Sequence, residues 1–525
     1  MRPYLFVVFT FIYFHSYSQP FQTIVPDSSF SSDGILSLNF YNNIDRGYGV
    51  AIQPDQKIIM VGLSKRPSSG YFELCFVRLN PDGTPDTTFS SDGYQYVSLG
   101  DQQSIGGQTP TVKLDSQGRI VAVNSGALVG NFGLDIFVCR LLSDGSMDNT
   151  FGVSGIQTID MTGANTQPDL GTAFDIDNHG NIYIVGSCRV GFSPLDNDFA
   201  LVKIDSTGTL SNDFDQDGKK LYNPTGFAEF ATGVVCLPNG RFVFGGKAGG
   251  NSMLVMMDST GVLDNSFNGT GVVTIPSQSI ENPVLALDSN GRILFCLSTP
   301  SGTIQVSRYL QNGSADASFG FNSSFVFNNS STSIATSIGF QSDQKIIVGG
   351  YSGTSTTNDF LVFRLDTTGT LDLNFNTTGF KTQPLASSVT AEEANGMGIM
   401  ADDRILLAGT IVFSSAINED VGIVMLKADS ILPSSVATIS SIPVQLYPNP
   451  FDSDGFVLNL TMTQSTALIT EIHDVFGRLV FTRKDELTTG SQQIRINNVY
   501  LSKGLYTVSC ITGEQLVGKF KVFAK

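Results

Sequence analysis

Apolar positions in this chain fall in short runs separated by turn residues, with no amphipathic helix of useful length between them. The clearest runs begin on a basic residue: Lys57-Ile58-Ile59-Met60-Val61-Gly62, Arg241-Phe242-Val243-Phe244-Gly245, Lys345-Ile346-Ile347-Val348-Gly349 and Arg404-Ile405-Leu406-Leu407-Ala408-Gly409. Rich in β-branched residues and bounded by Gly, Asp and Asn, they read as β-strands. We label this run strand B. A shorter strand A precedes it, as in Gly49-Val50-Ala51-Ile52 or Gly233-Val234-Val235-Cys236, joined by a tight turn such as Pro54-Asp55-Gln56. Strand C follows, as in Glu73–Leu79 and Asp359–Leu365. An Asp-Gly or Thr-Gly turn then leads to strand D, as in Gly271-Val272-Val273-Thr274-Ile275.

Between C and D lies a phrase, Asp-x-x-Phe-x-x-x-Gly, whose phenylalanines are Phe30, Phe89, Phe151, Phe214, Phe267, Phe319 and Phe375. Their spacings of 59, 62, 63, 53, 52 and 56 residues set a period of one four-stranded sheet. One such sheet cannot bury both faces alone, whereas seven packed radially can. The predicted fold is all-β: a seven-bladed β-propeller over residues 20–430 with Velcro-type closure. Gly34–Phe40 supplies a strand D before any complete unit, and the last unit, Gly396–Lys427, lacks one. The first segment is therefore expected to pair with Val421–Leu426.

The ends break the pattern. Residues 1–19 read as a signal peptide, with Arg2, an apolar Tyr4–Phe14 core and small residues at Ser16 and Ser18. No run is long enough for a transmembrane segment. Residues 431–443, rich in Ser, Thr and Pro, read as a linker. Residues 444–525 read as a separate small β-sandwich domain.

Charge separates the two parts further. Residues 20–430 hold 21 basic and 40 acidic residues, a net of −19, against +1 for residues 431–525. A body so acidic repels phosphate backbones, so no nucleic acid partner is expected. The six cysteines are widely spaced in apolar runs and read as buried free thiols. His179 and His473 read as turn or surface residues. There is no tryptophan, which excludes a Trp-Asp repeat signature.

Two family resemblances rest on these motifs. The repeated phrase, the basic-apolar strand B and the Phe-x-x-x-Arg-Leu strand C resemble the delta-60 repeat, a β-propeller repeat of secreted bacterial proteins, over about residues 27–430. Departures are local: Ser323 for the last glycine of the sixth phrase, Met256 and Met425 for the arginine, Ser211 for the leading aspartate of the fourth. The tail is similar to the C-terminal sorting domain of type IX secretion cargo. Four blocks carry the likeness: Leu446–Phe451, Ile472–Val480, Leu501–Val508 and Lys519–Val522. They mark Tyr447, Pro448, Asn449, Pro450, Gly477, Gly504 and Tyr506 as the sorting motif. This resemblance implies the type IX secretion machinery as partner, passage across the outer membrane, and display on or release from the cell surface.

Candidate chemistry is sparse. Asp213, Asp215 and Asp217 have the Asp-x-Asp-x-Asp-Gly look of a calcium loop, although Pro224 stands where an EF-hand needs glutamate. Acids begin strand C in five units (Glu73, Asp135, Asp198, Asp359, Asp420) and are expected to satisfy their own B–C turns. Arg78, Arg140, Arg308 and Arg364 recur in strand C and are expected to bond turn carboxylates such as Asp86 or Asp372. No nucleophile elbow or zinc-protease motif is present, so no catalytic residue and no cofactor is assigned. Antiparallel order places the stereotyped A–B and C–D loops on one face. The variable B–C and D–A loops, such as Leu63–Phe72, Gly100–Gln108, Met161–Gly171, Ser187–Asp198 and Ala386–Gly396, fall on the other, where a ligand is expected. The leading reading is a secreted or cell-surface binding or adhesion module for a glycan or protein ligand. Rival readings are a glycan-processing or other hydrolytic enzyme with its site at the propeller mouth, and a structural surface-layer component.

Overall fold

The computed structural model describes residues 22–524 apart from 42, 68–69, 103–108, 127–132, 164–166, 192–196, 277–282, 355–356, 387–388, 414–418, 431–443, 453–454, 463–464, 475–478, 498–500 and 513–514. The expected signal peptide and linker, and parts of all five variable loops named above, lie outside the described residues. All the named elements are β-strands, and none of the described residues forms a helix long and apolar enough to cross a membrane. The chain divides into two compact units, Phe21–Asp429 and Ser430–Lys525.

In the larger unit the described strands form seven separate antiparallel sheets, each an open path. Their first strands are Asp45–Ile52, Thr111–Leu114, Asp169–Ile176, Glu229–Cys236, Val284–Leu287, Thr332–Phe340 and Val389–Ile399. Six sheets run A to D in chain order. The seventh has only its own strands A to C. Beside its strand C, Glu419–Ser430, lie two strands from the start of the chain, Ile35–Leu38 and Gln22–Pro26. Ile35 faces Val424 and Leu38 faces Val421.

Strand A is longer than its alternation suggests, because it carries a bulge. Register shifts fall at Gly47/Gly49, Gly171/Ala173, Ala231/Gly233, Ala335/Ser337 and Ala394/Gly396. A bulge breaks the two-residue period, so pattern reading finds only the half after it. It also explains the strand B glycines. A Cβ at Gly62, Gly186, Gly246, Gly350 or Gly409 would sit 1.7–2.2 Å from a strand A carbonyl oxygen. In the other two sheets Asn124 and Leu297 take that place, and strand A shrinks to four residues without a bulge. Asn124 is buried there with neither end of its amide bonded.

The repeated phrase joins neighbouring sheets. Each anchor phenylalanine is fully buried. Phe30, Phe89, Phe151, Phe214, Phe267 and Phe319 each lie against the C–D turn glycine of the following sheet: Gly83, Gly145, Gly208, Gly261, Gly313 and Gly369. Those glycines have φ between +81° and +90°, so a side chain there would meet both strain and the ring. The strand C cation completes the clasp. Arg140 bonds Asp148 at 2.8 Å, lies over Phe151, and donates to Ser206 O of the next turn. Arg78 and Arg308 repeat this with Asp86 and Asp316. Arg364 has no following C–D turn, and its Nη2 donates instead to Gln22 Oε1 at 3.1 Å.

Seven clusters of buried side chains lie between successive sheets of this unit. One of them joins Ile58, Met60 and Val77 of the first sheet to Leu406, Ala408 and Ile423 of the seventh. In the tail unit, seven strands form one continuous path rather than two separate sheets. A three-stranded part (Gln445–Asp452, Gly455–Met462, Gly490–Ile496) meets a four-stranded part (Leu479–Leu487, Thr466–His473, Gly504–Thr512, Gln515–Ala524) where Phe451 pairs with Ala524. Both parts contribute to one core, including Leu458, Ile496, Leu468, Val508 and Val522. All six cysteines of the chain are unpaired.

Candidate functional site

A cavity of about 180 Å3 takes one side chain from the first strand of every sheet in the larger unit: Tyr48, Thr111, Thr172, Thr232, Val284, Thr336 and Asn395. Five of the seven are the extra residue of a strand A bulge. A bulge turns its extra residue out of the ladder, and here it points to the cavity. Small neighbours flank each one, as in Gly171-Thr172-Ala173 and Ala231-Thr232-Gly233. That small-polar-small triplet is a sequence signal for this site, and strand alternation alone passes over it.

These side chains hand hydrogen bonds from sheet to sheet. Thr172 Oγ1 donates to Ala231 O at 2.5 Å, Thr232 Oγ1 to Pro283 O at 2.9 Å, and Thr336 Oγ1 to Ala394 O at 2.7 Å. Asn395 Nδ2 donates to Gly47 O at 3.0 Å, from the seventh sheet to the first. A hydroxyl that has given up its hydrogen still offers lone pairs. The cavity therefore presents acceptor oxygens, with Tyr48 and Tyr351 in its wall. Among the described residues its lining contains no carboxylate, imidazole or cationic side chain.

The acids that begin strand C do not share one role. Glu73 does use its own B–C segment, bonding Arg66, and also accepts from Tyr41 Oη at 2.8 Å. Asp198 and Asp420 instead accept from an asparagine just past strand D of the same sheet: Asn223 Nδ2 at 2.8 Å and Asn39 Nδ2 at 2.7 Å. Burial pushes Asp359 and Asp420 up from the ordinary carboxylate range. Asp135 gathers with Asp160 and Asp169. Strand D ends beside the head of strand C and supplies the donor at Asp198 and Asp420, while the B–C turns before Asp135, Asp198, Asp359 and Asp420 lie partly outside the described residues.

Asp213, Asp215 and Asp217 do not converge. Asp213 pairs with Lys203 at 2.8 Å, Asp215 with Lys220 at 2.9 Å, and Asp217 Oδ1 accepts from the Lys219 amide. Asp213 is the clasp partner in this unit, where lysine replaces arginine in strand C and Ser211 replaces the usual aspartate.

In the tail, Asn449 ties its strand to the last one, donating from Nδ2 to Lys521 O at 2.8 Å and accepting from Phe523 N at 3.0 Å. Tyr447 Oη accepts from Asn459 Nδ2, and the Tyr447–Pro448 peptide is cis. Tyr506 Oη donates to Ser502 O at 2.9 Å, two residues before Gly504. Pro450 continues the Tyr447 strand, and Gly477 lies outside the described residues.

Comparison with known proteins agrees with this division. Residues 445–522 match the secretion system C-terminal sorting domain. Residues 53–89, 126–151 and 341–375 match a β-propeller domain of unknown function, DUF5122. No curated protein matches the chain. Among solved structures, the chain is similar to the α-L-arabinofuranosidase Arb93A of Fusarium graminearum (10% identity, 77% of this chain, 97% of that one, TM-score 0.39). It is also similar to the Dos1 propeller (10%, 76% and 97%, 0.40) and to Sqt1 of Chaetomium thermophilum (12%, 76% and 99%, 0.37). Such distant likenesses say nothing of ligand or reaction. The chain is a β-propeller protein with a type IX sorting tail, exported to the cell surface or the extracellular space.

Proposed function

We propose that this exported protein is a binding or adhesion module: a seven-bladed propeller closed by its own first strands, which meets an extracellular glycan or protein on its variable-loop face and at the cavity between its inner strands. The observation that carries this reading is the cavity, which draws one residue from each of seven sheets and whose hydrogen-bond relay returns from Asn395 to Gly47. The pairing of Ile35–Leu38 with the last strand C supports the same closure. Residues 1–19 act as signal peptide, 20–430 as propeller, 431–443 as linker and 444–525 as the sorting domain, read by the secretion machinery through Tyr447, Pro448, Asn449, Pro450, Gly477, Gly504 and Tyr506.

An uncharged cavity rich in acceptor oxygens suits a neutral hydroxyl-bearing ligand. The test is a glycan array and a pull-down with the secreted protein, each repeated after residues 190–196 are replaced by a short Gly-Ser link. Binding that weakens with the replacement supports the reading. Unchanged binding, or hydrolysis of the captured glycan, would favour a site elsewhere or the enzymatic alternative.

A further inference from the structure

The boundaries between sheets repeat one arrangement often enough to show where one of them departs. An acid at the head of strand C faces an acid at the head of strand A in the next sheet. At the boundary from the seventh sheet to the first these are Asp420 and Asp45; from the third to the fourth, Asp198 and Glu229. Neutral donors reach both members of each pair, leaving Glu229 Oε2 as the one buried oxygen of the four acids without a partner. Asn39 donates to Asp420, and Ser64 Oγ and Phe40 N donate to Asp45. Asn223 donates to Asp198, and Thr225 Oγ1 to Glu229.

Between the second and third sheets the acids are Asp135 and Asp169, and both donor positions have changed. The residue after strand D, asparagine at the other two boundaries, is Asp160. The residue paired with the strand A acid, Ser64 in the first sheet, is Cys188, whose thiol is a weak donor. A third carboxylate thus replaces an amide. One oxygen from each of Asp135, Asp160 and Asp169 lies within 4.8 Å of the others. Asp169 is only 2% exposed, and its Oδ1 has no hydrogen-bond partner, while Oδ2 accepts from Met161 N at 2.7 Å. Asp160 is held in place from outside the group, its Oδ1 accepting from the Thr162 and Gly163 amides. The cation nearby, Lys219, places its ammonium on the carbonyl oxygens of Asp160 and Met161.

Three converging carboxylates, two of them buried, are costly without a compensating cation of matching charge. All three offer oxygen, the ligand of hard divalent ions such as calcium. We propose that Asp135, Asp160 and Asp169 bind one calcium ion, which pins the second sheet to the third at the variable-loop face. This site is separate from the Asp213–Asp217 stretch and from the ligand cavity, and it stands whether or not the binding-module reading holds.

Isothermal titration of the chelator-stripped, full-length secreted protein with calcium chloride, alongside thermal melting, tests it. The expected result is a single site with a dissociation constant on the order of 10⁻⁴–10⁻³ M, the range of extracellular calcium modules, and a calcium-dependent rise in Tm. Asp160→Asn restores the donor found at the other boundaries, so it should abolish uptake while raising the metal-free Tm. Asp217→Asn should leave uptake unchanged. No uptake at millimolar calcium overturns the proposal, as does uptake that survives Asp160→Asn or disappears with Asp217→Asn. If Asp160→Asn folds poorly, Asp135→Asn takes its place, and uptake retained in that variant overturns the proposal equally.

Discussion

The two faces of the larger unit solve the same problem in opposite ways. Both must hold one sheet against the next. On the turn face, aspartates meet arginine or lysine, and each of the first six phrases grips the turn that follows. On the loop face, Asp45, Asp169, Glu229 and Glu392 are buried at the heads of strand A and receive amides and hydroxyls rather than side-chain cations. Paired charges build a stereotyped joint, because the geometry of arginine and carboxylate leaves little freedom. Buried acids capped by whatever loop arrives tolerate varied loops. Burial costs carboxylates on both faces, and the face free to vary is the one where these strand A acids meet no side-chain cation to offset it.

The sharpest way to break this contrast is to remove one member of a turn-face pair. Asp316→Ala strands Arg308, itself only 2% exposed, without its partner. It should cost about 3–5 kcal/mol in chemical denaturation, whereas Asp402→Ala, at an exposed position, should cost almost nothing. Next in size is the strand geometry that both faces share. Gly350→Ala puts a Cβ 1.9 Å from Ile334 O and should cost about 1–3 kcal/mol by forcing the bulge aside. The cavity relay is weaker. Thr232→Val removes one donated bond to Pro283 O and should cost about 1 kcal/mol, read as a shift in denaturation midpoint.

Acid should divide the faces by sign, with the smallest effect near neutrality. Burial raises Asp45, Asp169, Glu229 and Glu392 above their unfolded values. The folded state therefore takes up protons first as pH falls, and stability rises until the unfolded chain titrates as well. The turn face behaves oppositely. Arg241 and Ser266 bring Asp264 down to about 2. Burial opposes the same shift at Asp27, but Ser29, Arg404 and Lys427 prevail and hold it at about 2. Their contribution is present above the unfolded carboxylate range, near 3.8, and is lost as pH falls toward 2. Denaturation midpoints measured from pH 7 to pH 3 should rise and then fall, and Glu392→Gln should flatten the rise.

Much of the fold is legible in the residues, and most of the site is not. Strands B, C and D and the anchor phrases can be read directly, because burial on a pleated surface leaves a period and a phenylalanine at fixed distance. The first half of strand A escapes such reading, since the bulges at Tyr48, Thr172 and Thr232 shift the alternation by one. Gln22–Pro26 escapes it too: it has no phrase of its own and is placed by Arg364 and Phe375, more than 340 residues away. Asp160 looks like an ordinary turn residue until the boundary it shares with Asp135 and Asp169 is assembled, because no spacing along the chain brings those three together.

The clasp also has a grammar. Six of the seven phrases carry a hook whose eye is the C–D turn one period later, and the seventh meets the first strand of the chain instead. A whole period cut at matching points thus keeps half a joint at each end, and those halves fit any other period in the array. Exchange of entire periods should be readily accommodated, while a cut of a single strand's length leaves a hook with nothing to catch.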